Sequence, residues 1–340
     1  MVRKWTKDGT VCAVVLLAAA AASAETHWNL QAVDANGVKT WNGALPVTVT
    51  GIILNNPQEM LDPTPDFQYI PWSFYMGGQW QVFVQSSDPA ADHAGTALWM
   101  GQNYGNTWRN NPAFSYTDDQ WLAELDRLNH DPATGHLFQK GDLVQVYAPN
   151  VGFYGGKTNI NESHDNNPAM DFGIALIEAS VGLPAPQEIT LADLDADPAT
   201  AQNYDPAYPR FDSSRLTGAE YYQGMLVHLN GVYLVDDSGW DKEEWSERLC
   251  TVSDGQRELP LRMPRGSIVD LGDPPTGWFH VSGILNQESG SGQDGRYGYE
   301  LYVTGIDRPQ AEIPEPACAT IVALWAGSLA AWRRSRRAQV

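Results

Sequence analysis

The chain has 340 residues, with 41 acidic side chains against 21 basic ones and a formal net charge of −20. That balance repels nucleic-acid backbones and anionic lipid surfaces, so neither is expected as a partner, and it favours solubility and cation binding. Three cysteines are too few for a disulfide framework, and stability must come from a core that a chain of this length can bury, in two domains.

Residues 1–24 read as a secretory signal peptide. Arg3, Lys4 and Lys7 form a basic start, residues 11–22 an apolar core, and Ala22-Ser23-Ala24 the small-x-small pattern that precedes cleavage by signal peptidase before Glu25. The apolar core is too short for a convincing membrane span. Residues 25–42 follow as an N-terminal extension.

From residue 43 the chain reads as mainly β structure with turn punctuation. Pro46 to Leu54, Trp80 to Gln85 and Leu143 to Tyr147 alternate apolar and polar residues, so each is expected to present one apolar face to a core. Between the second and third of these lie Trp99, Tyr104 and Trp108, interleaved with Asn103, Asn106, Asn110 and Asn111. Aromatics flanked by amides hold carbohydrate rings by stacking and hydrogen bonding, and they also fold back as the small core of a long loop; both readings stand. Residues 118–129 predict a helix, with apolar positions 121, 122, 125 and 128 on one side and Asp118 and Asp119 capping its start. His130, His136 and His164 fall in turns and polar loops and read as solvated.

Residues 182–217, rich in Pro, Asp and Ala, form a connector with a short helical hint at 191–194. Asp193, Asp195 and Asp197 alternate within it, as carboxylates that meet at a calcium ion do. A calcium loop would then want Gly and Glu where this chain has Pro198 and Tyr204, and carboxylates favoured by the start of a short helix account for the run equally well. Calcium is therefore the one cofactor the residues suggest, and no other is expected. After the connector, 225–234, 278–285 and 297–306 repeat the strand pattern, with His228 and His280 on one wall. Three segments share an alternating strand followed by glycine and a β-branched residue: Val47 to Ile52, Val227 to Val232 and Phe279 to Ile284. Glycine there predicts a bulge or bend that lets one strand serve two sides of a small barrel.

The last residues, 309–340, have a distinct grammar. Pro314-Glu315-Pro316 precedes an uncharged run from 317 to 332, close to the length that crosses a hydrocarbon core, and Arg333, Arg334, Arg336 and Arg337 follow. Under the positive-inside rule the arginines hold that end in the cytoplasm and leave the body outside. This order of parts resembles the PEP-CTERM sorting signal of exported bacterial proteins. The resemblance implies recognition by an exosortase-type membrane protease, transient anchoring in the inner membrane, and delivery to the cell surface or beyond. Loss of both ends leaves about 290 residues with 14 basic and 40 acidic side chains, a net charge of −26, and Cys250 as the one remaining thiol.

Across residues 43–308, the stretches Gly141 to Val146, Tyr154 to Ile160, Gly182 to Pro186 and Tyr222 to Val227 look like the tandem OB-like modules of secreted bacterial surface and nuclease-associated proteins. The resemblance implies two Greek-key barrels, at 43–181 and 218–308, with a β-sandwich as the structural alternative. Glycine-rich phosphate loops, nucleophile elbows and zinc spacings are absent from the sequence, and forty acids leave a carboxylate pair undecided. Three classes follow. The first is a noncatalytic exported surface or matrix protein that binds a partner such as a polysaccharide; the others are a secreted hydrolase of the nuclease or glycosidase kind and a calcium-dependent adhesin.

Overall fold

The computed structural model describes residues 23–66, 77–103, 114–162, 166–290 and 294–308. The expected leader core with Ala22, Tyr104 and Trp108, and the whole tail with its arginines, lie outside the described residues. Among the described residues no helix is long and apolar enough to cross a membrane.

The fold is mainly β, as expected, and consists of one eight-stranded sheet and one closed barrel. The sheet holds β1 (Ser23–Ala24), β2 (Val47–Ile53), β3 (Gln79–Gln85), β4 (Gly95–Gly101), β5 (Leu143–Ala148), β6 (Val151–Tyr154), β7 (Lys157–Ile160) and β8 (Gly173–Glu178). Its order is β6-β7-β4-β3-β2-β5-β8, with β1 added in parallel to β2. Short helices α1 (His27–Leu30) and α2 (Pro57–Met60) accompany it, and the predicted helix is α3 (Asp118–Asn129). One turn of α3 differs from expectation. Thr117, not an aspartate, is the N-cap, in a reciprocal box with Gln120, while Asp118 and Asp119 occupy the first turn where the helix dipole favours them. Trp121 and Leu128 reach the core and Leu125 packs against it, whereas Leu122 is exposed.

The barrel is built from β10 (Leu226–Asp236), β11 (Leu249–Ser253), β12 (Glu258–Arg262), β13 (Phe279–Gln287) and β14 (Tyr299–Asp307), and β9 (Gln187–Ile189) lies parallel on β10. The order β11-β12-β14-β13-β10 closes because β10 also pairs with β11. Closure leaves no barrel edge open. Besides β9, β10 serves two barrel neighbours: 226–232 pair with β13 and 233–236 with β11. The register shifts between Leu229 and Val232, where Gly231 has φ +64°, and again on β13 between Ser282 and Gly283. Both are glycines at which the sequence predicts a bend. Gly51 sits in unbroken register instead; there the backbone of Gln85 comes so close that an added Cβ would lie 2.4 Å from its carbonyl oxygen. Closed pairing of this kind belongs to the second unit alone, since the first sheet ends on β6 and β8 among the described residues.

A seam joins sheet to barrel. Phe83, Ala97, Leu54 and Met60 pack against Leu226, Ile284 and Tyr302, with Phe83 and Tyr302 meeting edge to face at 5.6 Å. β3 is therefore covered on both faces, and its alternation does not expose its polar side: Gln81 and Gln85 are buried, and Gln85 Oε1 accepts the Leu226 N–H at 2.8 Å. The Gly95 N–H donates to the Gln223 carbonyl at 3.0 Å. Lys157, also buried, donates from Nζ to the Gln287 carbonyl at 2.7 Å and to Glu288 Oε1 at 2.6 Å. Arg248 donates to the carbonyls of Met60 and Met263, tying the barrel to the turn after α2.

At Gly95 an added Cβ would stand 2.1 Å from the carbonyl oxygen of Gly224, so backbone meets backbone. Gly95→Val is expected to lower unfolding free energy by roughly 1–3 kcal/mol or more in chemical denaturation. Gly305→Ala serves as the control, because nothing lies within 4 Å of an added Cβ there.

Candidate functional site

The capping box of Thr117 starts α3 so that Glu124 and Arg127, three residues apart, share one face. Glu162 follows β7 by two residues and Asp171 precedes β8 by two, and the sheet brings both to that face. Glu124, Glu162 and Asp171 each offer a carboxylate oxygen within 4.8 Å of the other two. Among the described residues this is the group of acids with the spacing of a cation site.

Arg127 stands among them. Its Nη2 lies 2.5 Å from Glu162 Oε1 and 2.7 Å from Glu124 Oε2, its Nε is 3.9 Å from Asp171 Oδ2, and its Nη1 donates to the Phe172 carbonyl at 2.5 Å. Tyr116 donates its hydroxyl to the other oxygen of Glu162 at 2.8 Å. One guanidinium thus does the work of a bound cation for three carboxylates.

The charges are unequal in number, and one acid must give way. Glu162 is fully buried while Glu124 and Asp171 are partly exposed. Burial pushes the Glu162 carboxyl up to about 8, against the pull of Arg127, which is shared with the two other acids. Burial wins for that reason. The same neighbours raise the Arg127 guanidinium further above its ordinary value, although desolvation works the other way. A carboxyl that holds its proton near neutral pH is a proton donor by chemistry, yet here both oxygens of Glu162 are engaged, by Arg127 and Tyr116, and the group is closed off from solvent.

The expected site residues have other surroundings. Trp99 lies on β4 opposite Gln81, half-buried, as a strand residue and not a loop residue. The three connector aspartates do not converge. Asp193 accepts from the Thr190 N–H and hydroxyl, at 2.7 Å each, at the start of a 3-10 helix over Leu191–Leu194. Asp195 pairs with Arg257 Nε at 2.6 Å, and Asp197 accepts from the Ala199 N–H and the Thr200 hydroxyl. His136 is not a solvated loop residue: its Nε2 lies 2.7 Å from Asp142 Oδ2, and that buried carboxylate also accepts from Gln139 and Ser180. His228 and His280 share a wall as expected, stacked at 5.7 Å. Ala24, at the expected cleavage point, forms β1 with Ser23.

Sequence reasoning missed Glu162, Arg127 and Asp171. Arg127 and Glu162 stand 35 residues apart in different elements, and no spacing rule links them. No protein-family model matches the chain, and no curated protein matches it.

Because the folded-state value of Glu162 lies above its ordinary 4.5, the folded protein binds more protons than the unfolded chain between 4.5 and about 8. Its contribution is present at low pH and is lost as pH rises through that window. Glu220, buried and raised to about 7, adds to the same slope. Glu162→Gln is expected to flatten the decline of stability toward pH 8, read as the difference between parent and variant melting curves, which cancels the titration of all other groups. Arg127→Met is expected to cost about 1–3 kcal/mol, since it leaves buried Glu162 and the Phe172 carbonyl without their donor.

Proposed function

We propose that the chain is a noncatalytic exported protein of the cell surface or extracellular matrix, sorted by a PEP-CTERM route and working through OB-like modules that bind or build. The observation that carries the reading is the union of the two β units into one body through a buried seam of apolar and polar contacts, which suits a rigid displayed module more than a hinged enzyme. The OB-like reading of the barrel rests on its order β10-β11-β12-β14-β13, on the parallel pairing of β12 with β14 and on the coiled first strand. In the first sheet the parallel pairing of β4 with β7 and the helix before β5 support the same plan, with β8 standing beside β5.

Processing at both ends belongs to this reading. Glu25 belongs to the folded body that this reading keeps, while the short β1 leaves with the leader: its carboxylate accepts from the Thr26 N–H, from Asn29 Nδ2 at 2.8 Å and from Trp41 Nε1 at 2.8 Å, and its own N–H donates to the Thr48 carbonyl. An ammonium created there keeps that bond. No resident cofactor is required.

Expression in a host that carries an exosortase tests the reading. Intact mass of the exported product is expected to begin at Glu25 and to lack the apolar run after Pro316, and replacing Pro314, Glu315 and Pro316 by alanine is expected to leave the protein in the membrane fraction. A full-length product in the cytoplasm would overturn the proposal.

A secreted hydrolase is the second reading, favoured by the protonated Glu162 beside Glu124 and Asp171. Hydrolysis of a polysaccharide that Glu162→Gln abolishes, with the fold retained, would replace the first reading by this one.

A further inference from the structure

The barrel carries a groove that none of the internal pairs uses. It lies between the end of β10 and the loop before β13, has a volume of about 360 Å³, and is lined by Tyr233, Val235, Asp236, Asp237, Pro274 and Pro275 among others. That is within the roughly 300–1,000 Å³ of small-molecule sites.

Each wall has a cause. On β10 the pairing with β11 shifts register between Leu234 and Asp236, and the unpaired Val235 turns outward with 46% of its surface exposed. The opposite wall is pinned from beneath: buried Trp240 donates from Nε1 to the Gly272 carbonyl at 2.8 Å, and Arg308 donates to the carbonyls of Leu271 and Asp273. Two successive prolines stiffen it further. Trp278, expected within the strand, stands just before β13 and is 57% exposed, and Tyr233 holds it edge to face at 5.0 Å. Trp278 does not line the groove itself but adjoins it, following the lining residue Gly277 and touching the lining Tyr233, and an ordered exposed indole there loses little freedom when a ligand covers it.

The polar groups narrow the ligand. Asp236 engages the Ser238 N–H with one oxygen, and Asp237 is exposed; these are acceptors for hydroxyl groups and repel anions, as does the whole body. A flat indole face matches the C–H face of a pyranose whose hydroxyls are equatorial. We infer that this groove binds a neutral glucan-type saccharide, stacked on Trp278 and hydrogen-bonded by Asp236 and Asp237. The inference deepens the surface-module reading and rests on it for its biological setting, but it stands on the groove alone: loss of saccharide binding would leave export and processing untouched.

Calorimetric titration of the full chain with cellohexaose tests it, with hexameric chitosan and polygalacturonate as cationic and anionic comparators. Cellohexaose is expected to bind, and Trp278→Ala and Val235→Asp are each expected to weaken it by about tenfold or more, while Trp278→Tyr keeps most of the affinity. The melting temperature should change little, because neither side chain is in the core. Absence of cellohexaose binding, equal binding by all variants, or binding of chitosan or polygalacturonate alone would overturn the inference.

Discussion

Sheet and barrel are held together by an apolar seam that also encloses polar groups neither unit could bury alone. Lys157 is 3% exposed, and removing its ammonium from water is tolerable only because Glu288 and the Gln287 carbonyl receive it. Arg262 and Glu300 repeat the device within the barrel wall at 3.1 Å, and burial raises the Glu300 carboxyl despite its partner. Trp245 packs between this region and Tyr302, with the Arg262 guanidinium 4.2 Å above its ring. The Lys157–Glu288 pair adds little net stability, but it penalises every other docking, because a displaced barrel would leave a buried charge alone. The geometry between the two units is thereby specified, more than it is strengthened.

That constraint shapes what the surface can do. Arg127 answers three carboxylates and Arg257 answers Asp195, so the conspicuous acids of both units serve the fold. On the barrel surface a bulge, a pinned loop and an exposed ring coincide beside Trp278. Excess acid elsewhere keeps the body soluble and turns anions away.

Local features were legible in the sequence. The helix over 118–129 follows from its spacing, and the bends at Gly231 and Gly283 follow from glycine inside alternating strands. The bend at Gly51 did not appear as a bulge, since a glycine also serves a close approach of backbones, and the pattern does not separate the two. Alternation in β3 promised one wet face; it cannot report that a second unit covers it. Glu162 with Arg127, and Lys157 with Glu288, are joined by topology across tens of residues, and composition alone offers forty equivalent acids. Its apolar neighbours place Trp278 in a strand by sequence, whereas it stands one residue outside β13 and exposed.

If the seam is what makes the molecule one body, sheet and barrel must open together. Hydrogen exchange along a denaturant series, followed by mass spectrometry on peptides from β5 and from β13, measures this directly, because both strands are paired on both sides within their own units. One shared midpoint and a common opening free energy for the two peptides are predicted. Exchange of β13 at a clearly different denaturant concentration from β5 would mean that the units fold independently, and would contradict the account.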